Sequence, residues 1–211
     1  MNLRGVIDDL RTAATMPRVE IVLSRGRPEE EAALRRFRSR HPRYQVVPLK
    51  AVGVALLPLD DIADVDDYLA TRRYARRRVR RASKLGYGTG PFDPEERRGE
   101  LLAIHSSIPE RQGRPIDADY LDADATWETG PHIEYLGVFR DGVLVAYCKV
   151  QHAGDIAAMT RLMGHGEHLD NGVMFLLTAA IVGHVTSVRP QTRYLFYDTF
   201  FGAPEGLPAP S

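Results

Sequence analysis

Residues 161–172 read Arg161-Leu162-Met163-Gly164-His165-Gly166-Glu167-His168-Leu169-Asp170-Asn171-Gly172. They stand between a strand-like run, Ile156 to Met163, and an apolar run over 172–188. The apolar run carries Val173, Met174, Leu176, Leu177, Ala180, Ile181 and Val185 on nearly every side. Such a pattern predicts a helix pressed on a sheet, with little wet face. Arg193 to Thr199 then reads as a last strand. A strand–helix–strand unit of this length implies two parallel strands joined by a crossover. Glycines in the turn let backbone amides approach a ligand closely. The helix N-terminus adds unpaired N–H groups and partial positive charge, which suit a phosphate. The competing reading is an ordinary glycine-rich turn with Asp170 or Asn171 as its cap.

Working upstream, Ile133 to Phe139, Val143 to Val150 and Ile156 to Met163 are three strand-like runs. Asp141-Gly142 and Gly154-Asp155 join them as tight hairpins. Antiparallel strands followed by a parallel unit give a mixed α/β (α+β) class. Its sheet is mostly antiparallel, with helices on both faces. Val19 to Leu23 reads as a short strand, and Pro28 opens a helix with early acids and late arginines that His41-Pro42 stops. Tyr44 to Leu57 reads as two short strands or one bent one. Helices are expected over 94–108 and, in short form, 117–127. The division expected is a β/α segment over 1–70 packed on a main domain over 71–211.

Composition narrows the class. Over 211 residues, 28 Lys+Arg balance 28 Asp+Glu, and 44% of residues are apolar. A chain of this length can bury roughly 70% of its unfolded surface without staples. Zero formal charge argues against a chain whose main business is coating nucleic acid. No run is long enough for a membrane helix, no secretory signal is visible, and the one cysteine, Cys148, cannot form an internal disulfide. Together these point to the cytoplasm, with no membrane partner.

Charge is nevertheless patterned. An acidic run from Asp60 to Asp67 precedes a basic one: Arg72, Arg73, Arg76, Arg77, Arg78, Arg80, Arg81 and Lys84. At about 100° per residue, Ala75, Val79, Ala82 and Leu85 gather beside Tyr74, and the cations fan across the other side. Arg78 alone falls inside the apolar arc. A buried arginine needs an anionic partner, either a structural ion pair or a ligand carboxylate or phosphate. For the exposed cations a solvated face competes with contact to RNA or another polyanion.

At this point a resemblance enters. Arg161-x-x-Gly164-x-Gly166 is similar to the pyrophosphate loop of GNAT acyltransferases. The order of a basic helix at 76–82, a turn Leu169-Asp170-Asn171-Gly172 and an aromatic strand Phe196-Tyr197-Asp198-Thr199-Phe200-Phe201-Gly202 resembles the FemAB-type, BioF2-like branch of that superfamily. The likeness covers about two-thirds of the chain. The superfamily loop would put the phosphate glycines at Gly164 and Gly166. The branch pattern would put the critical glycine at Gly172, and the helix starting near 171 favours Asn171 and Gly172.

The resemblance implies an N-acyltransferase moving an acyl or aminoacyl group to a small-molecule or peptide amine. The donor would be acyl-CoA or aminoacyl-tRNA. Asp198, with Tyr197 beside it, stands where a strand-end carboxylate can act as base or orienter. Asn171 and Gly172, with Arg161 nearby, would hold donor phosphates; Arg78 would take an anionic group, and Arg111 and Gln112 would line an acceptor pocket. The alternative is a non-catalytic interaction domain, or an RNA-binding module working through helix 72–84. His165, Glu167 and His168 hint at metal spacing without a further ligand, so no metal is expected. In the branch another helix and strand follow the aromatic strand; the proline-bearing end 202–211 cannot supply that helix. That predicts an exposed edge on 193–199 and a homodimer paired through it.

Overall fold

A computed structural model describes residues 11, 15, 17–23, 26–38, 40, 54–111, 114–116, 118–122 and 125–199. Asp141 and Gly142 both take positive φ, 52° and 81°, the twist a two-residue hairpin turn requires. That turn folds β5 (Ile133–Arg140) onto β6 (Val143–Ala153), and Gly154 at φ 58° turns β6 into β7 (Ile156–Gly164). Helix α5 (Val173–Val188) then returns the chain to β8 (Tyr194–Thr199), which pairs parallel to β7. The sequence signals for this block are met element by element.

Upstream lie α1 (Pro28–Arg38), β1 (Val54–Pro58), α2 (Val65–Ala70), α3 (Arg73–Lys84), β2 (Tyr87–Pro91) and α4 (Arg98–Ser106). Two short strands, β3 (Glu110–Arg111) and β4 (Arg114–Pro115), pair with each other. The main sheet has six strands in the order β1-β8-β7-β6-β5-β2, antiparallel throughout except at the β7–β8 seam. This is the mixed α/β class expected. Helices α3 and α5 cover one face over Val138, Ala146, Cys148, Val150 and Leu195. The other face packs Leu101 and Ile104 of α4 against Tyr135, Leu144 and Tyr147, with Ala33 of α1 against Ala153, Ile156 and Tyr194.

Two expectations are corrected. Strand 193–199 is not an exposed edge: β8 is flanked by β7 and by β1, whose Leu56, Leu57 and Pro58 face Phe196, Leu195 and Tyr194. A strand from the N-terminal third has taken the open position, so dimerisation by strand addition there loses its basis. Val19–Leu23 forms no strand. Its Val22 N–H instead donates to the Asp155 carboxylate at 3.0 Å, and the Asp155 N–H donates to the Val22 carbonyl at 3.4 Å. From the 1–70 segment, β1 joins the sheet built by 71–199, beside β8. The proline-bearing end, 202–211, lies outside the described residues.

Candidate active site

The parallel seam is where the sheet opens. Register between β7 and β8 covers Ile156, Ala157 and Ala158 against Tyr194, Leu195 and Phe196, and then stops, although β7 continues to Gly164 and β8 to Thr199. The cause is local. Opposite Lys149 and Val150 of β6 stand Arg161 and Met159, so Thr160 is an extra residue, and its Oγ1 donates to the Lys149 carbonyl at 3.2 Å. A bulge of this kind bends its strand and raises the twist, here directly after the last residue paired with β8. The pairing of β7 with β8 therefore ends before their carboxyl ends, where the chain passes from β7 through a 3-10 turn (Gly166–Asn171) into α5. In open parallel units, ligands sit at that end.

The mouth of α5 is built by α3. Arg78 reaches across so that one Nη donates to the carbonyls of Asp170 at 2.7 Å and Leu169 at 3.4 Å, and its guanidinium carbon lies 5.9 Å from the Phe175 ring. Its partners are thus the partially negative carbonyl end of the 3-10 turn, not a carboxylate. Arg78 Nε is buried without a hydrogen-bond partner. Gly172 sits at φ 90°, and a Cβ built there would meet the Arg78 carbonyl oxygen at 2.6 Å. The glycine is thus already required by the helix crossing. The amides of Val173, Met174 and Phe175 have no backbone acceptor among the described residues. Asn171 turns its amide to Tyr87 Oη at 2.9 Å, and Tyr87 in turn meets His168 Nδ1 at 2.7 Å. Burial, then the neighbouring His165 and Arg140 side chains, pull the His168 pKa down.

Arg161 is carried to the opposite face of the sheet. Lys149 and Tyr147 face it and Met163 across the β6–β7 ladder, while Cys148 and Leu162 point toward α5. Its guanidinium carbon lies 5.1 Å from the Tyr120 ring centre and 5.2 Å from that of Trp127. Arg161 therefore does not join Asn171 and Gly172 at the mouth.

No protein-family model matches the chain, and no curated protein sequence matches it. Solved structures do resemble it. FemX superposes with a TM-score of 0.56 at 14% identity, over 72% of this chain and 54% of that chain. L-PGS from Bacillus licheniformis gives 0.50 at 13%, over 75% and 48%. The ribosomal-protein-S18-alanine N-acetyltransferase from Escherichia coli gives 0.42 at 10%, over 53% and 65%. The fold is a GNAT fold of the FemAB type. At these identities the likeness is one of architecture, and the chain spans about half the length of FemX and of L-PGS.

Within this GNAT fold, Gly164 and Gly166 serve packing. A Cβ on Gly164 would meet Met174 Sδ at 2.7 Å, and one on Gly166 would meet Ile108 Cγ1 at 2.8 Å. The Gly166 amide already donates to Ser107 Oγ at 3.0 Å. Tyr197 is exposed on β8. The Asp198 backbone lies in the carboxyl half of β8, past the last pairing with β7, and its side chain is outside the described residues. Gln112 lies outside the described residues too, and only the backbone of Arg111 is described, in β3. Cys148 is fully buried, and burial drives its thiol pKa far up, so it offers no nucleophile. His165, Glu167 and His168 place their donor atoms within 4.8 Å of one another on the 3-10 turn. No described helix is long and apolar enough to cross a membrane.

Two features escaped the sequence reading. Strand β2 was hidden because Gly88, Gly90 and Pro91 are poor strand formers, tolerated here at a sheet edge. The Arg161–Trp127–Tyr120 cluster joins residues far apart in sequence, so no spacing rule could find it.

Proposed function

We propose that the chain is an N-acyltransferase that moves an acyl or aminoacyl group from a carrier to an amine, with acyl-CoA as the favoured donor. The opening of the β7–β8 seam at the mouth of α5 carries this reading. An extended thioester arm is proposed to run where β7 and β8 cease to pair, with its phosphates at the amides of Val173, Met174 and Phe175, which have no backbone acceptor among the described residues. Arg78 supports it: an orphaned buried N–H costs about 1–3 kcal/mol, and an anion at the mouth would relieve that cost after a small side-chain shift.

The chemistry needs no enzyme nucleophile. An amine nitrogen attacks the thioester carbonyl, the C–N bond forms, and the C–S bond breaks. The proton lost by the nitrogen passes to a base, the role proposed for Asp198, and the departing thiolate is reprotonated. Tyr197, Asn171 and Gly172 shape the approach. Arg111 and Gln112 are proposed on the acceptor side, and the cytoplasm is the proposed site of action.

A ligand that binds only the native state raises its stability. At a hundred times its Kd, CoA or acetyl-CoA adds about 2.7 kcal/mol. For a chain of this size that is a rise in Tm of roughly 5–10 °C. Differential scanning fluorimetry with each ligand is the measurement; an unmoved Tm up to millimolar CoA overturns the acyl-CoA reading.

A second reading has its own observation. Arg73, Arg76, Arg77, Arg80, Arg81 and Lys84 of α3 make no ion pair among the described residues, and the first turn of the helix holds no acid. A row of unpaired cations beside the donor mouth suits an RNA-linked carrier, with aminoacyl-tRNA as donor. Binding of tRNA would then weaken steeply between 50 and 200 mM salt, as such contacts do at roughly these concentrations. Replacing Arg76, Arg77 and Arg80 together by Ala should flatten the log–log salt slope by about 2. A slope unchanged by the triple substitution removes RNA from consideration.

A further inference from the structure

Arg161 stands on the face opposite α5 with its charge unmatched. Tyr120 and Trp127 lie over it at 5.1 and 5.2 Å, and it makes neither a hydrogen bond nor an ion pair among the described residues. The other charges nearby are committed. Arg98 pairs with Glu95 and donates to the Ala125 carbonyl at 3.0 Å, and Glu128 takes Lys149. Asp122 stands on the exposed rim.

The floor beneath Arg161 is rigid. His105 is 3% exposed and bonds at 2.6 Å to both the Tyr120 carbonyl and Tyr147 Oη. A carbonyl only accepts, so Nδ1 carries the proton, and in the neutral ring Nε2 accepts from the Tyr147 hydroxyl. Burial pushes the Tyr147 pKa well above its ordinary range, which keeps that donor protonated. This chain pins Tyr120 beside Arg161. The space lined by Arg98, Tyr120, Asp122, Trp127 and Arg161, among others, is about 10 Å³, the size of a single water, and Asp122 is the one carboxylate on it.

We infer that Arg161 anchors a carboxylate of the amine acceptor, so that the acceptor is an amino acid or a peptide with a free carboxyl end. A guanidinium is a planar fork that matches a carboxylate two bonds at a time, and aromatic walls strengthen the pair by excluding water. At about one water's volume the recess does not enclose a carboxylate, so the pair would form at its mouth, on the outer edge of the guanidinium, with the rest of the acceptor out over the rim. Arg161 is on the strand that bends open at the seam, which sets the anchored molecule on the far side of the sheet from the donor mouth. The assignment rests on the acyltransferase reading for the reaction, though not for the binding.

The chain holds one tryptophan, Trp127, which is part of the recess. Fluorescence excited at the red edge of the absorption band, where the nine tyrosines contribute little, therefore reports on this recess. The full chain, without donor, is titrated with a panel of glycyl dipeptides lacking tryptophan and with their C-terminal amides. Expected is a saturable change in Trp127 emission with one or more acids, and binding about 10- to 100-fold weaker for the matching amides. Arg161→Gln should abolish the preference for acid over amide, and Arg161→Lys should restore part of it; far-ultraviolet circular dichroism reports whether each variant is folded. Absence of saturable change with every acid, equal binding of acid and amide, or a preference that survives Arg161→Gln overturns the anchor. A carboxylate preference without any CoA stabilisation keeps the anchor and sinks the donor reading instead.

Discussion

Replacing Gly172 by alanine is expected to lower the unfolding free energy by roughly 3 kcal/mol, read by urea denaturation. Two costs add. An L-residue at φ 90° is held in the left-handed region, at about 1–2 kcal/mol. The new methyl would also lie 2.6 Å from the Arg78 carbonyl oxygen and 3.1 Å from its carbon, both main chain, so no rotamer change relieves it. Helix α3 must back away from α5. That loosens the Arg78–Asp170 bond and the edge-to-face contact of Tyr74 with Phe175 at 5.3 Å. The control is Gly99→Ala in α4, where an added Cβ meets nothing within 4 Å; helix propensity there should give a gain of about 0.5–1 kcal/mol. Equal losses at the two sites would show that the helix crossing is not what fixes Gly172.

Glu134 carries the second large effect. Its carboxylate accepts from His184 Nε2 at 2.7 Å and from Arg189 at 2.9 Å, and lies 3.2 Å from His152 Nε2. Burial works to raise its pKa. The bonds from Arg189 and His184 and the nearby His152 outweigh it and bring the value down to about 2, from an ordinary 4.5. A depressed folded pKa means stability that is complete above pH 4.5 and is lost as pH falls toward 2. His152 is depressed too, by burial first, so its share begins to go below its ordinary 6.5. Glu134→Gln should therefore cost roughly 2 kcal/mol at pH 7, after allowance for partial exposure. The difference between variant and parent should close as pH drops below 4.5. Melting curves of both proteins from pH 7 to pH 3 test this, and a gap that stays constant rejects the ionised cluster.

What could be read in advance followed physical strength. Hairpin turns at Asp141-Gly142 and Gly154, and the continuous apolar run of α5, are local signals, and they placed four consecutive elements. Local signals failed where long-range contacts decide. Val19–Leu23 has strand-forming side chains, yet its Val22 amide is taken by Asp155, 133 residues away. Strand β2 has glycines and a proline, yet it is held by five residue pairs with β5. In the site, helix periodicity turns Arg78 inward, but its place beside Asp170 and Gly172 is set by contacts far apart in sequence. That its partners would be backbone carbonyls needed the crossing of α3 over the 3-10 turn. Arg161 was recognised as a charge near a glycine turn, but the bulge at Thr160 and the alternation of β7 send it to the other face.

The pairing of Val54 with Thr199 sets the first strand of the sheet beside the last in one ladder. Closing so long a loop costs entropy before any bond repays it, which places this fold among the slower ones by contact order. During synthesis β1 leaves the ribosome well before β8, its one partner in the sheet, and waits unpaired for it. Insertion of β8 between β1 and β7 is thus what both closes the sheet and sets the unpaired stretch beside α5.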